Sequence, residues 1–218
     1  MTFRNREEAA ALLAERLNRY RGQRPLVLGI PRGGVPMARL VADRLEGDLD
    51  VMLVHKLRAP FQPELAIGSI DESGRVYLTA FAEELAIDAR TMDVEKRAQL
   101  DTLRKRRERY TAVRPPLDPK GRTVILVDDG LATGSTAIAA VRAARAQGAA
   151  RIVVAVGVAP PDTITRLRAE ADEVVCLHAP AGFGAVGEFF IDFSEVTDDD
   201  VVRSLGRPAA EPAHPRAS

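Results

Sequence analysis

Residues 124–136 read "VILVDDGLATGST": four aliphatic residues run into two adjacent carboxylates, Asp128 and Asp129, and then into a small, hydroxyl-rich turn. An aliphatic run of this kind is a strand buried on both faces, as in parallel sheets. Ligands of such open sheets sit beyond the carboxyl ends of the strands, where the two acids fall. Ala132, Thr133, Gly134, Ser135 and Thr136 follow, with side chains small enough for backbone N–H groups to converge, and they lead into the positive end of a helix. That is a phosphate cradle. Thr133, Ser135 and Thr136 add hydroxyl donors, and hydrogen bonds to a charged group are worth about 1.5–3 kcal/mol each. Carboxylates nearby would repel a phosphate unless something neutral and rich in hydroxyls separates them, and a ribose 5-phosphate has that shape. Adjacent strand residues point to opposite faces, so both acids serve one ligand only if the strand already turns at Asp129, which Gly130 permits.

Other readings of an acidic pair are a solvated turn with Asp129 capping the next helix, or a metal-binding pair as in response-regulator receivers. The full run is more restrictive than the pair. It lacks the Lys of a Walker A loop and is no Gly-x-Gly-x-x-Gly fingerprint.

Outward from this stretch, strands and helices alternate. The pattern predicts strands at 25–30, 49–57, 122–129, 151–159 and 173–178, with weaker ones at "AIGSI" and "RVYL". Helices are predicted at 35–47, ending at Gly47, at 135–148 and within 161–171, and a first amphipathic helix follows an Asn5/Glu8 capping box. The fold class is therefore α/β, an open, mostly parallel twisted sheet flanked by helices. One domain is expected over 1–206, with a core at about 22–58 and 121–180, a helical and lid insertion at about 59–120, and a hood at about 180–204. The tail 207–218, rich in Pro and Ala, reads as disordered.

Lys plus Arg equals Asp plus Glu at 31 each, so no global field draws the chain to nucleic acid or anionic lipid. No apolar run approaches the ~20 residues of a membrane span, and the opening "MTFRNREEAA" has no secretory core, so a soluble cytoplasmic protein is expected. The lone Cys176 excludes an internal disulfide and reads as a packed thiol. The insertion is helical to about Ala112, with a basic second half, Lys96, Arg97, Arg104, Lys105, Arg106, Arg107 and Arg109. A solvated face salt-bridged by Glu95, Asp101 and Glu108 is the simpler reading, and a nucleic-acid surface the sharper one. Only Tyr110 is available there for stacking on bases.

Further anion-binding candidates are "PRGG", where Arg32, Gly33 and Gly34 follow the first strand, and Lys56 and Arg58 at the end of the second. The glycines allow amides to turn toward an anion. A plain strand-to-helix turn and ordinary surface cations are the alternatives, and His55 reads as structural. "FQPELAIGSI" reads as a lid that excludes water. Of the clustered Phe183, Phe189, Phe190 and Phe193, Phe183 is the candidate for stacking on a flat base and the rest are core.

Residues 124–136 resemble the 5-phosphoribosyl-1-pyrophosphate (PRPP) signature of the type I phosphoribosyltransferases, and the resemblance extends over roughly 25–195. More narrowly, "GIPRGGVPMA", "HKLRAPFQPELAIGSI" and "AVGEFFIDF" resemble a group of uncharacterised bacterial phosphoribosyltransferase-like proteins. The resemblance implies the family's sheet order and hood, a homodimer, Mg²⁺ as cofactor, and PRPP and a nitrogenous base as substrates. It implies that Asp128 and Asp129 hold the ribose 2- and 3-hydroxyls, that residues 132–136 bind the 5-phosphate, and that Arg32, Gly33, Gly34, Lys56 and Arg58 face pyrophosphate. Asp192 resembles an acid that approaches a second metal, at a different spacing. Ala132 stands where hypoxanthine-guanine enzymes carry an Asp, which argues against a 6-oxopurine and leaves adenine-type and orotate-type substrates open. A noncatalytic PRPP or nucleotide sensor that binds nucleic acid through its basic helix, and a PRPP-directed hydrolase, are the other functional readings.

Overall fold

The structure, a computed structural model, describes residues 1–59, 62–78, 82, 89–113 and 115–206. Five strands form one parallel sheet: β1 (Leu26–Gly29), β2 (Asp48–Val51), and, after an insertion carrying three further strands, β6 (Thr123–Gly130), β7 (Arg151–Val158) and β8 (Glu173–His178). Their order is β2-β1-β6-β7-β8. The chain therefore steps from β1 to one side and returns to the other, so the order reverses between β1 and β6. Such a reversal opens the crevice in which doubly wound sheets bind ligands.

Alternate residues of the central strands feed two cores. Val27, Ile125, Val127, Val153 and Ala155 pack with α1 (Arg6–Arg16) and α2 (Gly34–Leu45). Leu26, Leu28, Val124, Leu126, Val154 and Val156 pack with α4 (Ser135–Ala146) and α5 (Pro161–Arg168). With helices on both faces, central strands have no polar side to show, hence their unbroken aliphatic sequence. The Asn5 side chain caps α1 by accepting from the Glu8 N–H at 3.0 Å, as its spacing predicts. The chain reverses after α2 at Glu46, which takes the left-handed φ of 56°, one residue before the expected stop at Gly47. The Gly47 N–H then closes the turn on the Ala42 carbonyl at 2.9 Å.

The predicted strand 49–57 is two strands. β2 ends at Val51, and β3 (Val54–Ala59) leaves to pair antiparallel with β4 (Gln62–Asp71), which pairs with β5 (Val76–Leu78). The break centres on Asp50. Buried Asp50 turns its carboxylate onto the Val51 N–H at 2.8 Å and the Leu117 N–H at 2.8 Å, so the chain stops as an extended ladder partner. The segment read as a lid is thus, from Gln62 onward, the middle strand of a small sheet; Phe61 lies outside the described residues.

The long basic helix is α3 (Ala89–Thr111), and residues 79–88, apart from buried Ala82, lie outside the description, as does the tail 207–218. Arg107 bolts α3 to both sheets. It holds Glu72 through Nε and Nη2, both at 2.6 Å, and Asp50 through Nη1 at 3.1 Å. Arg109 pairs with Asp199, Lys96 with Asp93, and Arg104 with Asp101. Of the acids expected to bridge this helix, Asp101 does so, while Glu95 accepts from the Arg58 N–H and from Gln99.

The first residues of the chain meet the segment after β8. Phe3 bridges Phe190 in parallel, and their rings lie 5.2 Å apart. Phe190 stacks on Phe193 at 5.0 Å, so these rings are packing elements, as expected. The helix α6 (Asp198–Gly206) and two short 3₁₀ turns, Asn18–Tyr20 and Val186–Phe189, are not among the elements expected from the sequence.

Candidate active site

The site lies at the carboxyl end of β6, beside the end of β1. Asp128 and Asp129 do not share a bend: the ladder with β7 runs on from Asp128↔Val156 to Gly130↔Val158, so β6 is still extended past both acids. The premise that the strand turns at Asp129 is corrected. The carboxylates alternate, and a ligand served by both must straddle the strand end.

Asp129 points to the α1 face, where its Oδ2 accepts from Arg6 Nε at 2.8 Å, with both side chains largely enclosed. Arg6 also donates through Nη1 to the Ser194 carbonyl at 2.7 Å and lies 3.9 Å from the centre of the Phe193 ring. One guanidinium thus joins the site acid, the first helix and the C-terminal segment.

Burial and the neighbouring Asp129 charge push the Asp128 carboxyl well above its ordinary range. Asp129 is raised by burial and drawn back by Arg6. A carboxyl raised in this way holds its proton more tightly folded than unfolded. Its contribution to stability is therefore best below the unfolded value of about 3.9 and worsens as pH rises through the elevated folded value. Asp128→Asn removes that burden while its oxygen still accepts the 2.9 Å bond from the Asp129 N–H. We expect the melting temperature of the ligand-free protein at neutral pH to rise by about 2–4 °C, for a gain of about 1 kcal/mol. A fall on differential scanning fluorimetry would mean that the Asp128 charge is compensated.

The turn after β6 leads straight into α4. Gly134 adopts φ 71° and ψ 0°, a left-handed conformation that L side chains resist, immediately before α4. Thr133 and Ser135 hydroxyls lie 3.0 Å apart. From behind, Thr163 of α5 donates to the Ala132 carbonyl at 2.7 Å, and Arg166 donates to the Thr133 carbonyl at 3.0 Å.

The "PRGG" glycines let the loop pack closely against β6. Neither takes positive φ; Gly33 is right-handed helical at φ −60°, and the Gly34 N–H is occupied by the Ile30 carbonyl at 3.1 Å. They are glycines because the loop presses on β6. A methyl at Gly33 would stand 2.1 Å from Asp129 Oδ2, and one at Gly34 2.3 Å from the Val127 carbonyl oxygen. Because the Gly34 neighbour is backbone, Gly34→Ala is expected to destabilise by about 1–3 kcal/mol in urea titration. A midpoint equal to wild type would show that the loop gives way freely. The Pro31–Arg32 peptide is cis. Arg32 reaches across to Glu195 at 2.6 Å, a partner the sequence did not suggest.

Lys56 and Arg58 are corrected in position: they ride on β3 of the small sheet rather than on the end of a parallel strand. Both are exposed, and the Arg58 N–H donates to Glu95 at 3.2 Å. His55 Nδ1 lies 3.1 Å from the Lys56 carbonyl. Phe183 is half-buried, with one ring face stacked on Phe189 at 5.6 Å and 20°. Asp192 is exposed and held below the usual carboxylate range by the Ser194 hydroxyl and N–H, the latter at 3.1 Å. With Arg6, Glu195 and Arg203 it lines an open cavity of about 670 Å³. Cys176 is half-buried, bonded to the His178 carbonyl at 3.1 Å, and its thiol is pushed up by burial, away from reactivity.

Among the described residues no three His, Cys, Asp or Glu side chains form a cage for a metal ion. One or two carboxylates at a strand end suit Mg²⁺, which keeps its waters and draws its other ligands from substrate phosphates.

The family model described as "Phosphoribosyl transferase domain" matches residues 3–188. Two curated Mycobacterium tuberculosis proteins, from strains CDC 1551 / Oshkosh and H37Rv and provisionally named phosphoribosyl transferases, are each 47% identical over 206 residues. That match covers 94% of this chain and 46% of theirs, so the chain spans about half the length of these relatives. A solved structure, TT1426 from Thermus thermophilus, is 49% identical with a TM-score of 0.85, covering 94% of this chain and 98% of that one.

Proposed function

Because the chain belongs to the phosphoribosyl transferase domain family, we propose that it binds Mg²⁺-PRPP at the carboxyl end of β6. It transfers the 5-phosphoribosyl group to a nitrogenous base and releases pyrophosphate. The observation that carries this reading is the left-handed Gly134 turn, opening a helix directly after two acids, at the reversal of strand order. A phosphate on that turn meets the N–H groups of residues 133–136 and the start of α4.

The chemistry assigns work to named residues. Breaking the bond between the anomeric carbon and pyrophosphate sends the electron pair out with the leaving group and puts positive charge on the ribose. Asp128 and Asp129 hold the 2- and 3-hydroxyls and stabilise that charge, with the Arg6 guanidinium opposing the effect of burial on Asp129. Arg32, Lys56 and Arg58 supply positive charge toward the departing pyrophosphate. The base nitrogen forms the new bond to the anomeric carbon and gives up its proton to solvent or to the leaving group. Phe183 offers the base a ring to stack on. Mg²⁺, when bound, would neutralise pyrophosphate oxygens, held mostly by substrate and water, with Asp192 as the candidate protein donor. No protein nucleophile is required.

The test is incubation with Mg²⁺-PRPP and a panel of bases, including adenine and orotate, while pyrophosphate is measured. Release that depends on one base supports the proposal. Release without any base points to a hydrolase, and PRPP binding without release, joined to steeply salt-dependent RNA binding, points to the regulator.

A further inference from the structure

We propose that Thr163 and Arg166 of α5 are positioning residues for the phosphate turn, holding its carbonyls away from the ligand so that its N–H groups face it. The inference rests on the reading of residues 132–136 as a phosphate site.

A tight turn can aim either its N–H groups or its carbonyls into a cleft, and carbonyls there would repel an anion. Here two successive carbonyls are tied back to the same helix. The Thr163 hydroxyl donates to Ala132 O at 2.7 Å, and Arg166 Nη2 donates to Thr133 O at 3.0 Å and to the Thr163 oxygen at 3.1 Å. Thr163 is 1% exposed, so its hydroxyl has no water to fall back on and the bond is costly to lose. Its methyl reinforces the position: a Cβ on Gly134 would meet Thr163 Cγ2 at 2.6 Å, so α5 sits hard against the left-handed residue. Arg166 and Ser135 share the wall of a cavity of about 200 Å³ that opens beside the turn. Preorganised donors of this kind bind without reorganisation, which is where their effect on affinity originates.

Thr163→Val keeps shape and the Gly134 contact but removes the donor. Arg166→Met removes the second tie at an exposed position where folding is safe. The probes are ribose 5-phosphate, which needs the turn, and inorganic pyrophosphate, which the Arg32 loop would take. By calorimetry the wild type is expected to bind both. Thr163→Val should weaken ribose 5-phosphate about tenfold and Arg166→Met several-fold, with pyrophosphate affinity within twofold of wild type and Thr163→Ser restoring ribose 5-phosphate binding. Equal loss for both probes, or unchanged ribose 5-phosphate affinity in both variants, overturns the positioning role. A wild type that binds pyrophosphate and not ribose 5-phosphate overturns the phosphate reading itself.

Discussion

Asp128→Asn is expected to lower base-dependent pyrophosphate release about a hundredfold, or ~2.7 kcal/mol in transition-state stabilisation. The substitution preserves volume and the acceptor for the Asp129 N–H, so the strand end is undisturbed. What disappears is charge. A hydroxyl bonded to a carboxylate is worth about 1.5–3 kcal/mol, and the positive charge growing on the ribose strengthens that contact as the leaving group departs. The loss should therefore appear mainly in kcat, with a smaller rise in KM for PRPP. Because the same substitution is expected to raise thermal stability, an inactive and more stable variant separates chemistry from folding. Unchanged kcat would remove Asp128 from the reaction.

Arg107→Met is expected to be the most damaging change outside the site. Arg107 is 15% exposed on its side chain and Asp50 4%, so removing the cation strands a buried carboxylate. Breaking one partner of a buried pair costs about 3–5 kcal/mol, and here it also frees Glu72 and the Val51 carbonyl. Equilibrium urea unfolding reads this directly. Adding Asp50→Asn should return part of the loss, because the amide carries no charge and its one oxygen still accepts from the Val51 N–H, while the bond from the Leu117 N–H to the other oxygen is given up. If the single variant unfolds like wild type, α3 is not held to the sheet by this cluster.

What is legible in the sequence follows from which interactions are local. The parallel strands announce themselves because burial on both faces demands aliphatic runs, and α1 because Asn5 and Glu8 are three apart. The turn after β6 is readable because Gly134 takes a left-handed φ of 71° that its small neighbours accommodate. The split of 49–57 is not, since Asp50 ends β2 through Leu117 and Arg107, both more than fifty residues away. Arg6 escapes a sequence reading for the same reason: its partner Asp129 lies 123 residues along the chain. Glycines needed for close approach and glycines needed for positive φ look alike in sequence, so Gly33 and Gly34 suggest a conformational freedom that neither uses. α6 does leave a signal. Thr197 and Asp200 form a reciprocal cap, with Thr197 N–H to Asp200 at 2.8 Å and Asp200 N–H to Thr197 at 3.2 Å, and "TDDD" before "VVRSL" is its trace.

The central claim is that a sugar phosphate rests on the backbone amides that open α4. Amide resonances of residues 133–136 should be followed in a two-dimensional ¹H–¹⁵N spectrum while PRPP is added in the presence of Mg²⁺. Large, saturating shifts at Thr133, Gly134, Ser135 and Thr136 are the predicted result, with smaller ones at Asp128 and Asp129. Saturating shifts elsewhere with these six amides unmoved would contradict the account.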